Sequence, residues 1–124
     1  MIAVSDWDRS NAWYCAVLGA ELVELPLGRC AYRFGDQQLN VHGPGATPFP
    51  RSAEPVGPGN SDICFVWPGS IGEALEHLER HEVPVEEGPV PRTGGRGMGT
   101  SIYVRDPDGT LVELISYAER ASPP

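Results

Sequence analysis

Glu113 is the residue whose place in the sequence most directly raises a question of chemistry. It lies in the otherwise aliphatic run 111–115, where the alternation of a β-strand puts it on the same face as two aliphatic side chains. A carboxylate on a half-buried strand is costly unless a cation or a metal ion compensates its charge. The sequence therefore predicts a partner for Glu113, either a metal ion or an arginine such as Arg33 or Arg105.

A turn motif precedes this strand and determines where it begins. Residues 106–109 read Asp-Pro-Asp-Gly and separate two β-rich runs, 100–105 and 110–117. Proline presets φ for a turn, and Gly109 accepts the positive φ that closes it. The pattern predicts a β-hairpin over residues 100–117.

The first part of the chain predicts the order β-α-β-β-β. A short strand over 1–4 precedes a helix that begins at a capping pair, Ser5 with Asp8, and ends near Leu18 before Gly19. The helical spacing predicts a core stripe of Asn11, Tyr14, Cys15 and Leu18. Three extended runs then follow at 20–27, 29–34 and 37–42.

The second part of the chain predicts the same order again. A strand over 61–67 leads to a helix that Ser70 and Glu73 cap and that ends near His81. The apolar stripe of this helix is Ile71, Ala74, Leu75 and Leu78. A strand over 85–90 and a glycine-rich loop over 93–99 precede the final hairpin.

These patterns predict an α+β fold of two tandem βαβββ modules within a single domain, 1–117. Module 1 spans about 1–42, and module 2 spans about 61–117. Residues 43–60 contain five Pro and four Gly without periodicity, which indicates a linker or a binding loop. Residues 118–124 are expected to form a flexible tail.

Composition narrows the class of partner. A net charge of −8 argues against nucleic acid or an anionic membrane and leaves room for a cationic ligand. No apolar run approaches the ~20 residues that a membrane-spanning helix needs. Three cysteines without a C-x-x-C pair, and no signal-peptide pattern, predict reduced and mostly buried thiols in a cytoplasmic protein.

The repeated modules, a strand that ends in His42, and the hairpin Tyr-Val-Arg-Asp-Pro-Asp-Gly-Thr-Leu-Val-Glu-Leu at 103–114 resemble the vicinal oxygen chelate superfamily. That superfamily includes glyoxalase I, fosfomycin-resistance proteins, extradiol dioxygenases and bleomycin-binding proteins. The resemblance covers residues 3–117. Segments 39–42 and 88–94 are similar to its glyoxalase-like or virulence-type branch.

The resemblance implies a divalent metal in a cup that the two modules form. By position, Glu113 matches a ligand and catalytic carboxylate, His42 matches a second ligand, and Asp62 is a third candidate. A further histidine ligand of the first strand would fall before Met1. Nitrogen and carboxylate donors suit Mn²⁺, Fe²⁺, Ni²⁺, Zn²⁺ or Mg²⁺. For His42 the alternative to a metal ligand is a histidine at the strand end that bonds to a loop carbonyl. For Asp62 the alternative is a residue that caps a turn.

Four residues are candidates for substrate binding: Asn40, Arg92, Arg96 and Tyr103. For the two arginines a plain solvent loop is an equally good interpretation, and Tyr103, like Trp13 and Trp67, also suits a core. His77 and His81 lie four residues apart on the second helix, among charged residues that favour a solvated surface.

The leading hypothesis is a metal-dependent lyase, isomerase or dioxygenase that acts on a compact small molecule with vicinal oxygens. The alternative is a protein of the bleomycin-resistance type that sequesters a cationic ligand or antibiotic without metal or turnover. A short first strand leaves a sheet edge, and the family usually pairs, so a homodimer is expected.

Overall fold

In the computed structural model, residues 1–118 are described, and they form two compact units. The first unit is Met1–Ser61 together with the turn Asp106–Thr110, and the second is Asp62–Arg105 with the chain from Leu111 onward. Each unit has one α-helix and a four-stranded sheet. The predicted α+β class with two βαβββ modules is therefore confirmed. The predicted flexible tail lies outside the described residues, apart from its first residue.

The first unit follows the predicted order of elements. These elements are β1 (Ile2–Ala3), α1 (Trp7–Leu18), β2 (Glu21–Glu24), a 3-10 turn (Pro26–Gly28), β3 (Cys30–Phe34) and β4 (Gln37–His42). The sheet order is β1-β4-β3-β2, with β1 parallel to β4 and the other pairs antiparallel.

The N-terminus of α1 differs from the prediction. Asp6 is the N-cap, and its carboxylate accepts a hydrogen bond of 2.9 Å from the backbone N–H of Arg9. The predicted capping pair of Ser5 and Asp8 is therefore wrong, because the Ser5 hydroxyl donates to the Asp108 carboxylate instead.

The buried stripe of α1 is also rotated from the predicted one. Its fully buried residues are Ser10, Tyr14 and Val17, while the other three residues of the predicted stripe are half-buried. Ser10 is inside because its hydroxyl lies 2.7 Å from that of Tyr32, which in turn donates to Asn11 Oδ1. Tyr14 stacks on Tyr32 with ring centroids 4.7 Å apart. Hydrogen bonding, which an apolar pattern does not report, sets this helix's orientation.

The second unit repeats the order of elements. They are β5 (Asp62–Val66), α2 (Ile71–Arg80), β6 (Glu87–Gly94), β7 (Gly97–Arg105) and β8 (Leu111–Ser116). The sheet order is β5-β8-β7-β6, and β5 runs parallel to β8. β8 is therefore a central strand, with a neighbour on each side.

Helix α2 begins and packs as its sequence predicts. Ser70 and Glu73 form a reciprocal capping box, in which each side chain accepts from the other's backbone N–H. Ala74 and Leu78 are buried, and the other two residues of the predicted stripe are half-buried. An apolar stripe against the sheet is what positions this helix.

The predicted glycine-rich loop 93–99 is wrong. β6 continues to Gly94 and β7 begins at Gly97, so only a tight turn separates them. At Gly99 a Cβ atom would lie 2.8 Å from both the Ile115 side chain and the Ser116 carbonyl oxygen. Glycine here allows close packing of neighbouring strands and does not mark a loop.

The segment 43–60 contains no helix or strand, as predicted, apart from an isolated bridge between Ala3 and Pro58. It packs within the first unit: at Gly59, whose φ is +81°, a Cβ atom would collide with the Asp108 carbonyl oxygen. Neither helix of the described chain is long and apolar enough to cross a membrane.

Candidate functional site

Glu113 lies in the middle of β8, half-buried, with Cys64 of β5 and Tyr103 of β7 directly opposite it in the ladders. The hydroxyl of Ser101 donates a hydrogen bond of 2.6 Å to Glu113 Oε2. Ser101 is 0% exposed, so this donor is fixed by packing. A carboxylate held by a buried donor keeps one orientation, which is how proteins prepare metal ligands and catalytic groups.

The thiol of Cys64 is the second polar neighbour of Glu113. Partial burial, then the negative charges of Glu113 and Asp62 and a hydrogen bond with Glu113, together raise the pKa of Cys64 to about 11. At neutral pH this group is a neutral thiol. The two groups that hydrogen-bond Glu113, the Ser101 hydroxyl and the Cys64 thiol, are thus both neutral.

The side chains of one sheet face surround Glu113, and we call this surface the Glu113 face. Strand alternation and register place the polar residues Asp62, Cys64, Ser101 and Tyr103 on it with Glu113, and the aliphatic residues Val66, Leu111 and Ile115 as well. The opposite face carries four buried aliphatic residues of β7 and β8: Ile102, Val104, Val112 and Leu114. Asp62 and Cys64 are exposed whereas Ser101 and Ile115 are buried, so the Glu113 face is exposed on its β5 side.

The two arginines considered as partners of Glu113 have carboxylate partners elsewhere. Arg105 donates to Glu86 with an N–O distance of 2.8 Å, and this hydrogen bond lowers the pKa of Glu86. Arg33 lies 3.6 Å from Glu21 across β2 and β3. Both pairs are solvent-exposed and contribute little to stability.

Arg92 and Tyr103, two of the predicted substrate-binding residues, lie together. Arg92 Nε donates to the Tyr103 hydroxyl at 3.0 Å, and the guanidinium lies 5.7 Å from the ring centroid. Because Arg92 pairs with Gly99 in the ladder, it extends the Glu113 face toward β6. The pair places a cation and a phenol beside the carboxylate's strand.

Arg96 takes a different position. It lies in the β6–β7 turn, its backbone N–H donates to the Tyr117 hydroxyl at 3.3 Å, and its guanidinium lies 5.6 Å from the Tyr117 ring centroid. Arg96 and Arg92 therefore contact different tyrosines. Asn40, in the first unit, is exposed, and its Oδ1 accepts a hydrogen bond of 2.9 Å from Gln38.

His42 ends β4 in the first unit, whereas Asp62 and Glu113 belong to the second. Its Nδ1 atom is buried and has no hydrogen-bond partner among the described residues. The alternative in which this nitrogen bonds to a loop carbonyl is therefore not what the structure shows. A buried imidazole nitrogen without a partner is uncommon in folded proteins, which keeps His42 a candidate ligand.

Three cavities of the first unit have His42 in their walls, with volumes of about 550, 680 and 390 Å³. The loop 43–58 supplies most of the other lining residues, and Arg51 lines two of the three cavities. The loop that the sequence left open as linker or binding loop is thus the wall of a cavity.

His77 and His81 lie along α2 with ring centroids 4.5 Å apart. His77 is half-buried and lies 5.3 Å from the Trp67 ring, while His81 is exposed. The predicted solvated surface therefore describes His81 better than His77. Within residues 1–118, no group of three or more His, Cys, Asp and Glu side chains is arranged to hold a metal ion.

Sequence reasoning missed Ser101 and Cys64 as neighbours of Glu113. The alternation of side chains along a strand could have placed Ser101 on the same face as Tyr103. That Ser101 reaches Glu113 can be known only from the register of β7 against β8. Cys64 was treated only as a buried thiol, and it is exposed.

This chain is an α+β protein of two βαβββ modules, with a carboxylate on a central strand of the second module. The chain matches the model of the Glyoxalase/Bleomycin resistance protein/Dioxygenase superfamily over residues 1–114 and belongs to that superfamily. This result confirms the family to which the sequence motifs pointed.

Two relatives are similar over nearly the whole chain. Glyoxalase domain-containing protein RDO1 of Mycosarcoma maydis is 44% identical over 119 residues, which are 96% of this chain and 66% of that protein. Virulence protein STM3117 of Salmonella typhimurium is 36% identical over 117 residues, 94% of this chain and 81% of that protein. This chain therefore spans just under two thirds of the length of the first relative.

Solved structures agree on the fold. The crystal structure of STM3117 superposes with a TM-score of 0.87 at 36% identity and covers 94% of this chain and 92% of that one. The fosfomycin resistance protein FosX of Listeria monocytogenes, complexed with Mn(II) and a sulfate ion, gives a TM-score of 0.65 at 20% identity, with 95% and 86% covered. The second likeness is one of fold alone.

Proposed function

We propose that this protein is a small metal-dependent enzyme that acts on a compact substrate with vicinal oxygens. The reaction class is that of a lyase, an isomerase or a dioxygenase. The observation that carries the proposal is the setting of Glu113, a half-buried carboxylate held by the buried Ser101 hydroxyl on the Glu113 face. Family membership supports the same class of chemistry.

Each candidate ligand, taken singly, has donor chemistry that suits a divalent metal, and the candidates lie in different units, His42 in the first and Asp62 and Glu113 in the second. Glu113 supplies a carboxylate oxygen, and His42 supplies a buried nitrogen that has no hydrogen-bond partner among the described residues. Asp62, exposed at the start of β5, is a third candidate. A nitrogen and hard oxygens suit Mn²⁺, Fe²⁺, Ni²⁺, Zn²⁺ or Mg²⁺. The FosX structure with Mn(II) is consistent with this choice.

A bound divalent metal supplies Lewis-acid stabilisation of negative charge on substrate oxygens. The protein's own residues have separate tasks. Ser101 keeps the Glu113 carboxylate in one orientation, so that its lone pairs are directed before a ligand arrives. Arg92, held by the Tyr103 hydroxyl, offers a cation to an anionic part of the substrate on the same face.

The experiment that tests the proposal is elemental analysis of protein stripped with EDTA and reloaded with each metal. We expect about one metal ion per chain in the wild type, with strong loss in Glu113→Gln, because it removes a ligand, and His42→Gln tests separately whether His42 is a ligand as well. Glu76→Gln and His81→Gln, exposed positions of α2 and its C-terminal end, are matched controls and should retain the metal. Full metal content in Glu113→Gln contradicts the assignment.

We also propose that the protein forms a homodimer. Strand β1 pairs with β4 only at Val41 and His42, which leaves residues 37–40 of β4 without a strand partner on that side among the described residues. An unpaired edge favours addition of a strand from another copy. Light scattering coupled to gel filtration measures the mass directly, and a monomer at micromolar concentration contradicts the proposal.

A further inference from the structure

The cavities around His42 have a distinct wall chemistry. The cavity of about 550 Å³ is lined by Pro48, Pro50, Pro55 and Val56 on its apolar sides, with Arg51 and His42 as its charged or ionisable members. A cavity of this size is in the range of sites that bind small organic molecules, which are mostly apolar with a few polar groups.

The charge of these walls is opposite to that of the chain. The protein has 17 acidic residues and a net charge of −8, yet none of the residues that line the three cavities is Asp or Glu. The lining includes two arginines, Arg51 and, in the cavity of about 680 Å³, Arg29. Cationic side chains beside low-dielectric walls favour an anionic ligand and disfavour a cationic one.

His42 gives a second and independent indication of a ligand. Its buried Nδ1 has no hydrogen-bond partner in the described chain, and His42 is common to the walls of all three cavities. A buried polar atom without a partner is uncommon in folded proteins, since leaving it unsatisfied costs free energy.

From these observations we propose that His42, Arg51 and the loop 43–58 form a binding site for a small organic anion with an apolar body, such as an aryl or alkyl carboxylate. The apolar part packs against the prolines, and the anionic group pairs with an arginine, which suits carboxylates by its paired donors. In naming a substrate class for the site at His42, the proposal rests on the proposed function. It opposes the alternative of a protein that sequesters cationic ligands.

Three probes of one shape and different charge test it: benzoate, benzamide and benzamidine. Each is titrated into EDTA-treated protein, with calorimetry for affinity and NMR for the imidazole signal of His42 and the indole signal of Trp7, which lines the largest of the three cavities. We expect benzoate to bind at least about tenfold more tightly than benzamide and to shift the His42 signal, with benzamidine weakest of the three.

Substitutions then locate the anion. Arg51→Gln or Arg29→Gln should weaken benzoate about tenfold and leave benzamide unchanged, and Arg51→Lys should restore part of the loss. Arg80→Gln makes the same change of net charge on α2, where the side chain is exposed, and should leave benzoate affinity unaltered. Arg51 is exposed in a loop, so its variants are expected to fold, which circular dichroism checks.

Several results overturn the inference. These are benzamidine binding more tightly than benzoate, equal affinity for the three probes, no binding at all, or a benzoate affinity unchanged by both Arg51→Gln and Arg29→Gln. Because the titration is done without metal, the two proposals fail separately. Benzoate binding by a protein that takes up no metal leaves the anion site standing and removes the metal-dependent function. Metal binding without benzoate binding leaves the metal-dependent function standing and removes the anion site.

Discussion

The phenol of Tyr14, on α1, donates a hydrogen bond of 2.8 Å to the carboxylate of Asp106 in the turn Asp106–Thr110. The other oxygen of Asp106 accepts hydrogen bonds of 2.9 Å from the backbone N–H groups of Asp108 and Thr110. Asp106 is only 5% exposed. One buried carboxylate therefore closes its own turn and attaches that turn to the helix of the first unit.

Tyr14→Phe should destabilise the protein by about 1–3 kcal/mol, because it leaves a buried carboxylate oxygen without its donor. Urea unfolding followed by circular dichroism measures the change. Asp106→Asn should cost at least as much, since it alters all three hydrogen bonds of this side chain. Asp36→Asn, in an exposed turn, is the matched control and should lie within about 0.5 kcal/mol of wild type. A Tyr14→Phe variant as stable as wild type contradicts the role assigned to this bond.

Stability should fall at alkaline pH through Tyr14 and Tyr32. Burial, and then the charge of Asp106, raises the pKa of Tyr14 well above its ordinary range, and burial raises the pKa of Tyr32 to about 12. Well below pH ~10 both phenols are protonated in folded and unfolded chains, so they add no pH dependence there. Above it the unfolded chain loses protons first, and the free energy of unfolding declines, for Tyr32 until the pH passes about 12.

The chain has no lysine, so its arginines stay charged through most of this range. The measurement is urea unfolding at intervals between pH 9 and pH 12. Tyr32→Phe should show a shallower decline with pH than the wild type. Equal slopes in the two proteins would remove Tyr32 from the explanation.

Alkylation of Cys64 should report on Glu113 in metal-free protein. The thiolate is the reactive form, and at pH 8 the raised pKa of Cys64 keeps its population small although the residue is exposed. Glu113→Gln removes the nearby negative charge, so the pKa should fall and reaction with iodoacetamide should become severalfold faster. Mass spectrometry of the peptide carrying Cys64 separates it from Cys15 and Cys30.

Glu76→Gln changes the net charge equally on the exposed face of α2 and should leave the Cys64 rate unaltered. If both variants react at the wild-type rate, the carboxylate of Glu113 does not act on the thiol.

Two glycines with positive φ allow a collision to be separated from backbone strain. Gly45 (φ +75°) has no atom within 4 Å of an added Cβ, whereas at Gly59 (φ +81°) the Cβ would collide with the Asp108 carbonyl oxygen. Gly45→Ala should cost about 1–2 kcal/mol from the left-handed conformation alone. Gly59→Ala should cost about 1–3 kcal/mol more because backbone must shift. Urea unfolding measures both changes in the free energy of unfolding. Equal losses in the two variants would show that residues 106–110 move aside at no energetic cost.

The sequence predicted the fold best at caps and turns, where residues close together in the chain determine the structure. The capping box of Ser70 and Glu73, the left-handed Gly19 at the end of α1 and the turn that Gly109 closes each depend on neighbouring residues, and the structure has all three. It was least informative where a distant partner decides the outcome. The hydroxyl of Tyr32 brings Ser10 inside, and the register of β7 against β8 brings Ser101 to Glu113.

The candidate site shows the same division. The alternation of side chains along the strand placed Glu113 on a half-buried face. The spacing of residues in the sequence could not show that the Cys64 thiol and Ser101 are its neighbours, because both lie on other strands. The glycines at 94–99 were interpreted as a loop, because the close approach of β7 to Ile115 is not visible along a single strand. The cavity walls of 43–58 depend on how an aperiodic segment packs, which composition does not determine.

The turn Asp106–Thr110 belongs to the first unit, although in the chain it joins β7 to β8 of the second. The structural halves therefore do not coincide with the halves of the gene. A fragment ending at Ser61 would lack the acceptor of the Tyr14 hydroxyl and the carboxylate that receives the Ser5 hydrogen bonds. A fragment beginning at Asp62 would carry the turn Asp106–Thr110 without the Tyr14 and Ser5 donors that bond to it. Separately expressed halves are thus expected to fold only when supplied together, as complementing fragments rather than as independent modules.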